Sequence, residues 1–198
     1  MKTMIVRMGT GVLMLALSAC ANTNANRAEL VRYDLDIVAL PAVPVTPPRI
    51  EVRAPAWLQT SAMQYKFAYA DPVQRRSYAS ARWVATPPEL LEAALRRGLA
   101  WPTRWAACRI QFELDEFIQL FASADSGTAV IELRGRLLVS AGKVLDEQSW
   151  SMREASTADA AGGAAAHAGA TKHLLTQANA WLSRQTENVE INKQCSTL

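Results

Sequence analysis

Apolar and polar residues alternate along much of the chain, the period of strands with one buried face. Ala129, Ile131, Leu133, Leu137 and Val139 line one side of a segment whose other side carries Glu132, Arg134 and Arg136, so a long antiparallel-type strand is predicted there. Ile110, Phe112 and Leu114 alternate before it. Their phase slips near Asp115 and Glu116, where Phe117 and Phe121 appear, and this predicts a bulge or bend. After the turn "SAGK", Val144, Trp150 and Met152 share a face, which completes a three-strand meander. Upstream, Tyr33, Leu35 and Ile37 alternate within Val31 to Leu40, and "RIEVR" (Arg49 to Arg53) repeats the pattern. Met63, Tyr65, Phe67 and Tyr69 alternate in turn. Asp71-Pro72 then reads as a hairpin turn into "VQRRSYASARWV".

Two stretches follow the helical period instead. Thr86-Pro87-Pro88-Glu89 combines a capping threonine, proline at the first helical position and the glutamate of a capping box. Leu90, Leu91, Ala94, Leu95 and Leu99 then fall on one face, and Trp101-Pro102 ends the helix. A second helix is expected between Ser156 and about Thr186, opened by a Ser-x-x-Asp signal and frayed or delayed at Gly162-Gly163; a linker is the alternative for its Ala/Gly tract. The small residues of that tract would let the helix lie close to a sheet. The order β-β-β-β-α-β-β-β-α predicts an α+β fold, a mostly antiparallel sheet with two principal helices packed on one face.

The first twenty residues do not belong to that domain. Lys2 and Arg7 precede roughly ten apolar residues that end in Leu17-Ser18-Ala19-Cys20, well short of the about 20 needed to span a bilayer. A charged start, a short apolar run and small residues before the cut mark an export signal. Leu-Ser-Ala-Cys resembles the lipobox of bacterial lipoproteins, in which the cysteine is acylated and becomes the mature N-terminus. The chain therefore divides into a signal peptide over 1–19, a lipidated tether over 20–30 and one domain over 31–198. Ala21, where an inner-membrane retention signal would carry Asp, favours the periplasmic face of the outer membrane.

This reading changes the charge and the cysteines. Lys2 and Arg7 leave with the signal, so 19 of the 21 basic residues face 18 acidic ones. A near-neutral domain without a basic run has no footprint for nucleic acid. With Cys20 taken by lipid, Cys108 and Cys195 remain in an oxidising compartment, where they can pair as one disulfide; two unpaired thiols are the alternative.

Signals for catalysis are sparse. His167 and His173 are six apart, not the four that aligns two ligands on a helix, so no metal site is expected. Glu113, Asp115 and Glu116 could suggest paired carboxylates, with Glu113 and Asp115 on one strand face and Glu116 opposite, but solvated strand charges are the expected reading. No phosphate loop, Gly-x-Ser-x-Gly or CxxC is present. The expectation is a non-enzyme without cofactor. Trp57, Tyr65, Tyr69, Tyr78 and Trp83 gather in the proline-broken first half. The loop "APAWLQT" could present Trp57 and Leu58, with Tyr65 nearby, to a partner.

The lipobox, the Tyr33-x-Leu35 strand, "IEVRAPAWLQTSAMQYK", Tyr78 and "RWVATPPELLEAALRRGL" together resemble the ABC-type transport auxiliary lipoproteins, the PqiC-like family. The resemblance covers about residues 31 to 185. It implies a periplasmic lipoprotein that partners an MCE-family protein, a permease and an ATPase in lipid transport between the two membranes. It also implies that the lipoprotein is not the ATP-hydrolysing part, and that a ring of subunits, a homo-oligomer, docks the MCE protein at the outer membrane. Another envelope-assembly lipoprotein, or a periplasmic enzyme using the acidic cluster, are the alternatives.

Overall fold

Leu114 pairs with Leu133 and Glu116 with Glu132, so Asp115 is an extra residue in its strand. The bulge expected from the broken alternation is present. It resets the inward phase from Ile110, Phe112 and Leu114 to Phe117, Gln119 and Phe121, all buried. In the computed structural model, which describes residues 29–45, 47 and 50–196, the strands are β1 (Val31–Tyr33), β2 (Val52–Arg53), β3 (Ala62–Phe67), β4 (Asp71–Trp83), β5 (Cys108–Phe121), β6 (Gly127–Val139) and β7 (Val144–Ser156). The helices are α1 (Pro87–Gly98), α2 (Ala160–Glu187) and α3 (Val189–Ser196).

All seven strands form one sheet in the order β1-β4-β3-β5-β6-β7, with β2 also paired to β5. The long pairings, β3–β4, β5–β6 and β6–β7, are antiparallel. Short parallel pairings add β1 to β4 and both β2 and β3 to β5. Because β6 occupies the whole of one edge of β5, β2 and β3 share the other, β2 beside Phe112 and β3 beside Gln119. The chain between them, residues 54–61, loops out and makes a 3-10 turn at Ala56–Leu58. The fold is α+β, with a mostly antiparallel sheet and helices packed against it.

α1 starts where its sequence signals place it. The backbone N–H and hydroxyl of Thr86 both donate to the Glu89 carboxylate, at 2.8 and 2.7 Å. Those hydrogen bonds hold the Glu89 carboxyl below the usual carboxylate range. Leu90, Leu91, Ala94 and Leu95 are buried, as the 3.6-residue period requires, and Leu99 follows them into the core. α1 meets α2 closely: a Cβ on Gly98 would lie 2.8 Å from Leu175 Cδ1.

Four expectations need correction. The strand over Val31 to Leu40 stops at Tyr33, because Asp36 adopts a left-handed conformation (φ 52°) and a 3-10 turn follows at Ile37–Ala39. Arg97 holds that turn by donating to Leu40 O at 2.8 Å and Val38 O at 2.9 Å. The strand over Arg49 to Arg53 shrinks to Val52–Arg53. α2 is neither frayed nor delayed at its glycines: Asp159, not Ser156, caps it by accepting from the Gly162 N–H at 2.6 Å, and it runs unbroken for 28 residues. Finally, the sequence pattern does not predict α3. Its eight residues carry too short a pattern to register, and tertiary contacts hold it in place.

The small residues of α2 serve as expected. Gly163, Ala164, Ala166, Ala170 and Ala178 are buried where the helix crosses β6 and β7. Trp150 of β7 packs edge-on to Trp181 of α2 at 5.5 Å. Gly135 makes room for it, since a Cβ there would come within 2.8 Å of the Trp150 ring.

Candidate functional site

The 3-10 turn at Ala56–Leu58 separates two residues that the sequence offered as a joint anchor. Leu58 is only 1% exposed and belongs to the core, whereas Trp57 is 54% exposed. Leu58 is therefore not a surface contact; it fixes the turn that presents Trp57. The Gln64 side chain strengthens that presentation by donating to Trp57 O at 2.7 Å. Gln64 also accepts from Arg75 Nη1 at 2.7 Å, and Arg75 pairs with Glu116 at 2.5 Å. Trp57 thus sits beside a braced polar row on the helix-free face of the sheet.

Tyr65 lies on the opposite face, so it does not join Trp57 in one patch. It is half-buried among rings: Tyr78 at 4.7 Å, Phe67 at 5.1 Å and Phe121 at 5.7 Å between centroids. Phe67 continues the group to Tyr69 at 5.6 Å, and the Arg76 guanidinium stands over Phe67 at 5.1 Å. Phe121 joins this group only through the parallel pairing of β3 with β5, which local sequence does not announce. Trp83 leaves the group; it is buried against Phe117 and His167.

Beneath these rings, Gln119 ties four segments together. Its Oε1 accepts from the Tyr78 hydroxyl at 2.8 Å. Its Nε2 donates to Ser156 Oγ at 2.8 Å and Thr157 O at 2.9 Å, with Asp159 O at 3.3 Å. Burial raises the Tyr78 hydroxyl above the usual phenol range, which suits a donor that stays protonated. A polar residue at an inward strand position was the only sequence signal for this junction.

The helix-free face carries the acidic cluster. The bulge at Asp115 brings Glu116 to the same face as Glu113 and Asp115, contrary to the split expected from strict alternation. Each carboxylate meets an arginine: Asp115 with Arg134 at 2.8 Å, Glu113 with Arg136 at 3.0 Å, and Glu116 with Arg75. Arg136 reaches on to Glu147 at 2.5 Å. This is a cross-strand charge ladder, in which Arg134 also reaches Glu113 at 3.5 Å.

His167 is buried and isolated from His173, which is exposed and 3.2 Å from Glu154. Among the described residues, no group of three or more His, Cys, Asp or Glu side chains is placed to hold a metal ion. Cys108 and Cys195 form a disulfide with their Cα atoms 4.8 Å apart. An open groove of about 570 Å³ runs between the Ile37–Val43 segment and α1, but Glu92–Arg96 and the Arg97 contacts already engage its charged rim. Cys20 lies outside the described residues. No described helix is long and apolar enough to cross a membrane.

No family model and no curated protein matches the sequence. Solved structures do. A Xanthomonas campestris protein of the DUF330 family is similar over 81% of this chain and 98% of its own, with 17% identity and a TM-score of 0.60. A second, uncharacterized protein is similar over 79% of this chain and 98% of its own, with 15% identity and a TM-score of 0.55. The fold of the chain is the one seen in these two proteins.

Proposed function

We propose that the protein is an exported lipoprotein, acylated at Cys20 and anchored at the periplasmic face of the outer membrane. There it serves as the auxiliary, non-ATPase component of an MCE/ABC-type lipid transport system. The observation that carries this reading is Leu17-Ser18-Ala19-Cys20 at the end of a short apolar run, ahead of a domain that shares the fold of a DUF330 protein. That fold agrees with the PqiC-like resemblance. A non-catalytic role is supported by the arginines that engage Glu113, Asp115 and Glu116. Docking of a protein partner is supported by Trp57, an exposed ring on a turn held from below by Leu58 and from the side by Gln64. Tryptophan is among the residues enriched at interface anchor positions.

Co-purification from cells that express the full chain with a candidate MCE protein tests the docking. Mass spectrometry of the Cys20 peptide tests the anchor. Retention of the MCE protein on the acylated chain, weakened by Trp57→Ala, is expected. An acylated chain that retains no MCE protein would favour a different envelope-assembly role.

A further inference from the structure

The hairpin joining β3 to β4 leaves apolar groups in solvent at one end of the sheet. Tyr69 is 52% exposed and Val73 85% exposed. Phe67 stands half-buried behind them, its ring in contact with Tyr69. Lys66 and Arg76 flank the hairpin, and neither forms an ion pair with a carboxylate among the described residues. Asp71 is occupied locally, accepting from the N–H groups of Val73 and Gln74 at 3.3 and 3.2 Å. Tyrosine, with an apolar body and a polar tip, and a flexible lysine both suit the headgroup layer of a bilayer.

The path of the chain says where such a bilayer lies. β1 runs parallel to β4, with Val31 beside Ala81. The polypeptide therefore enters β1 from the Asp71 end of β4, which is the hairpin end. Val31 is eleven residue steps from Cys20, a reach of up to about 36 Å. Along β4, Ala81 is ten residue steps from Asp71, a distance of about 33 Å. An acyl group on Cys20 can thus reach the level of Tyr69 and Val73 with the tether following its entry direction.

We infer that the β3–β4 hairpin end, through Tyr69 and Val73 with Lys66 and Arg76 beside them, rests in the interfacial layer of the membrane that holds the lipid anchor. This rests on the lipoprotein reading of Cys20. Acyl chains alone hold a protein at a bilayer but leave the domain free to rotate on its tether. A second, side-chain contact fixes its orientation. The sheet then stands with its hairpin end on the lipid and its opposite end, where α2 finishes about 42 Å away and α3 begins, turned outward.

The test uses the full chain, processed in cells and reconstituted in phosphatidylethanolamine–phosphatidylglycerol vesicles. Benzoylphenylalanine replaces Tyr69, Val73 or, as the far-end control, Val189, which is 82% exposed. Irradiation is expected to give lipid adducts at positions 69 and 73 several-fold above position 189. Equal labelling at all three positions, or adducts at 69 and 73 only to another protein, overturns the contact. So does absence of lipid adducts on a chain whose Cys20 is acylated. A Cys20 peptide without acyl groups overturns the anchor reading itself, and the two failures are told apart by that mass.

Discussion

Gly163 of α2 and Gln119 of β5 fit against each other so closely that a Cβ on residue 163 would lie 2.4 Å from Gln119 Oε1. The amide cannot simply swing aside, because it is 1% exposed and bonded to Tyr78, Ser156 and Thr157. Alanine at 163 would improve helix propensity by about 1 kcal/mol. It would also break a buried polar junction, where each unsatisfied group costs about 1–3 kcal/mol. Gly163→Ala should therefore lower the urea midpoint, and a higher midpoint would show that the junction yields freely.

His167 makes stability depend on pH. Its ring stacks on Phe117 at 4.2 Å and meets Trp83 at 5.4 Å. Burial brings its pKa down to about 4, only partly offset by hydrogen bonding to the backbone of Gly163, which accepts from Nδ1 at 2.8 Å, and of Ile118. The folded state thus keeps the imidazole neutral, whereas an unfolded chain protonates it near pH 6.5. The stabilisation is full above pH 6.5 and falls as pH drops towards 4, by roughly 3 kcal/mol in all. Urea titrations at pH 7 and pH 4.5 should show a larger loss for the native chain than for His167→Leu. Equal losses in both would refute the assignment.

The contrast between these two residues shows how far the sequence could be read. Strands β3 to β7 and helix α1 announce themselves, because local periodicity and the Thr86–Glu89 cap decide them. β2 is two residues long and exists through its partner β5. The left-handed Asp36 and the docking of α3 likewise depend on distant groups, Arg97 in one case and Cys108 in the other. In the candidate site, the exposure of Trp57 agreed with its loop setting. The burial of Leu58, the separation of Tyr65 onto the other face and the Gln119 junction required the sheet pairing, which no local pattern encodes.

The disulfide should be a structural brace. Cys108 is 3% exposed and Cys195 is fully buried. Around the bond, Ala107 N–H donates to Cys195 O at 2.9 Å and Trp105 Nε1 donates to Asn192 Oδ1 at 2.9 Å. The cysteines are 87 residues apart, and closing a loop of that length is worth about 4.5 kcal/mol in the chain-entropy account. Cys108→Ala/Cys195→Ala should lower unfolding free energy by several kcal/mol and speed proteolysis at α3. An unchanged urea midpoint would overturn the bracing role.

Trp57 and Leu58 are neighbours with opposite expected phenotypes. Leu58→Ala removes a side chain that is 1% exposed, and truncation of a buried leucine costs about 2–5 kcal/mol. Its effect on partner retention should follow the loss of folded protein and be restored by Leu58→Met, which keeps the volume. Trp57→Ala removes an exposed ring while Gln64 still holds the backbone carbonyl at 57, so stability should change by no more than about 0.5 kcal/mol. Retention of an MCE partner should nevertheless fall, by about tenfold or more if Trp57 is a central anchor. Thermal melts and pull-downs on the same preparations separate the two effects. A Trp57→Ala chain that melts normally and retains its partner in full would remove Trp57 from the interface.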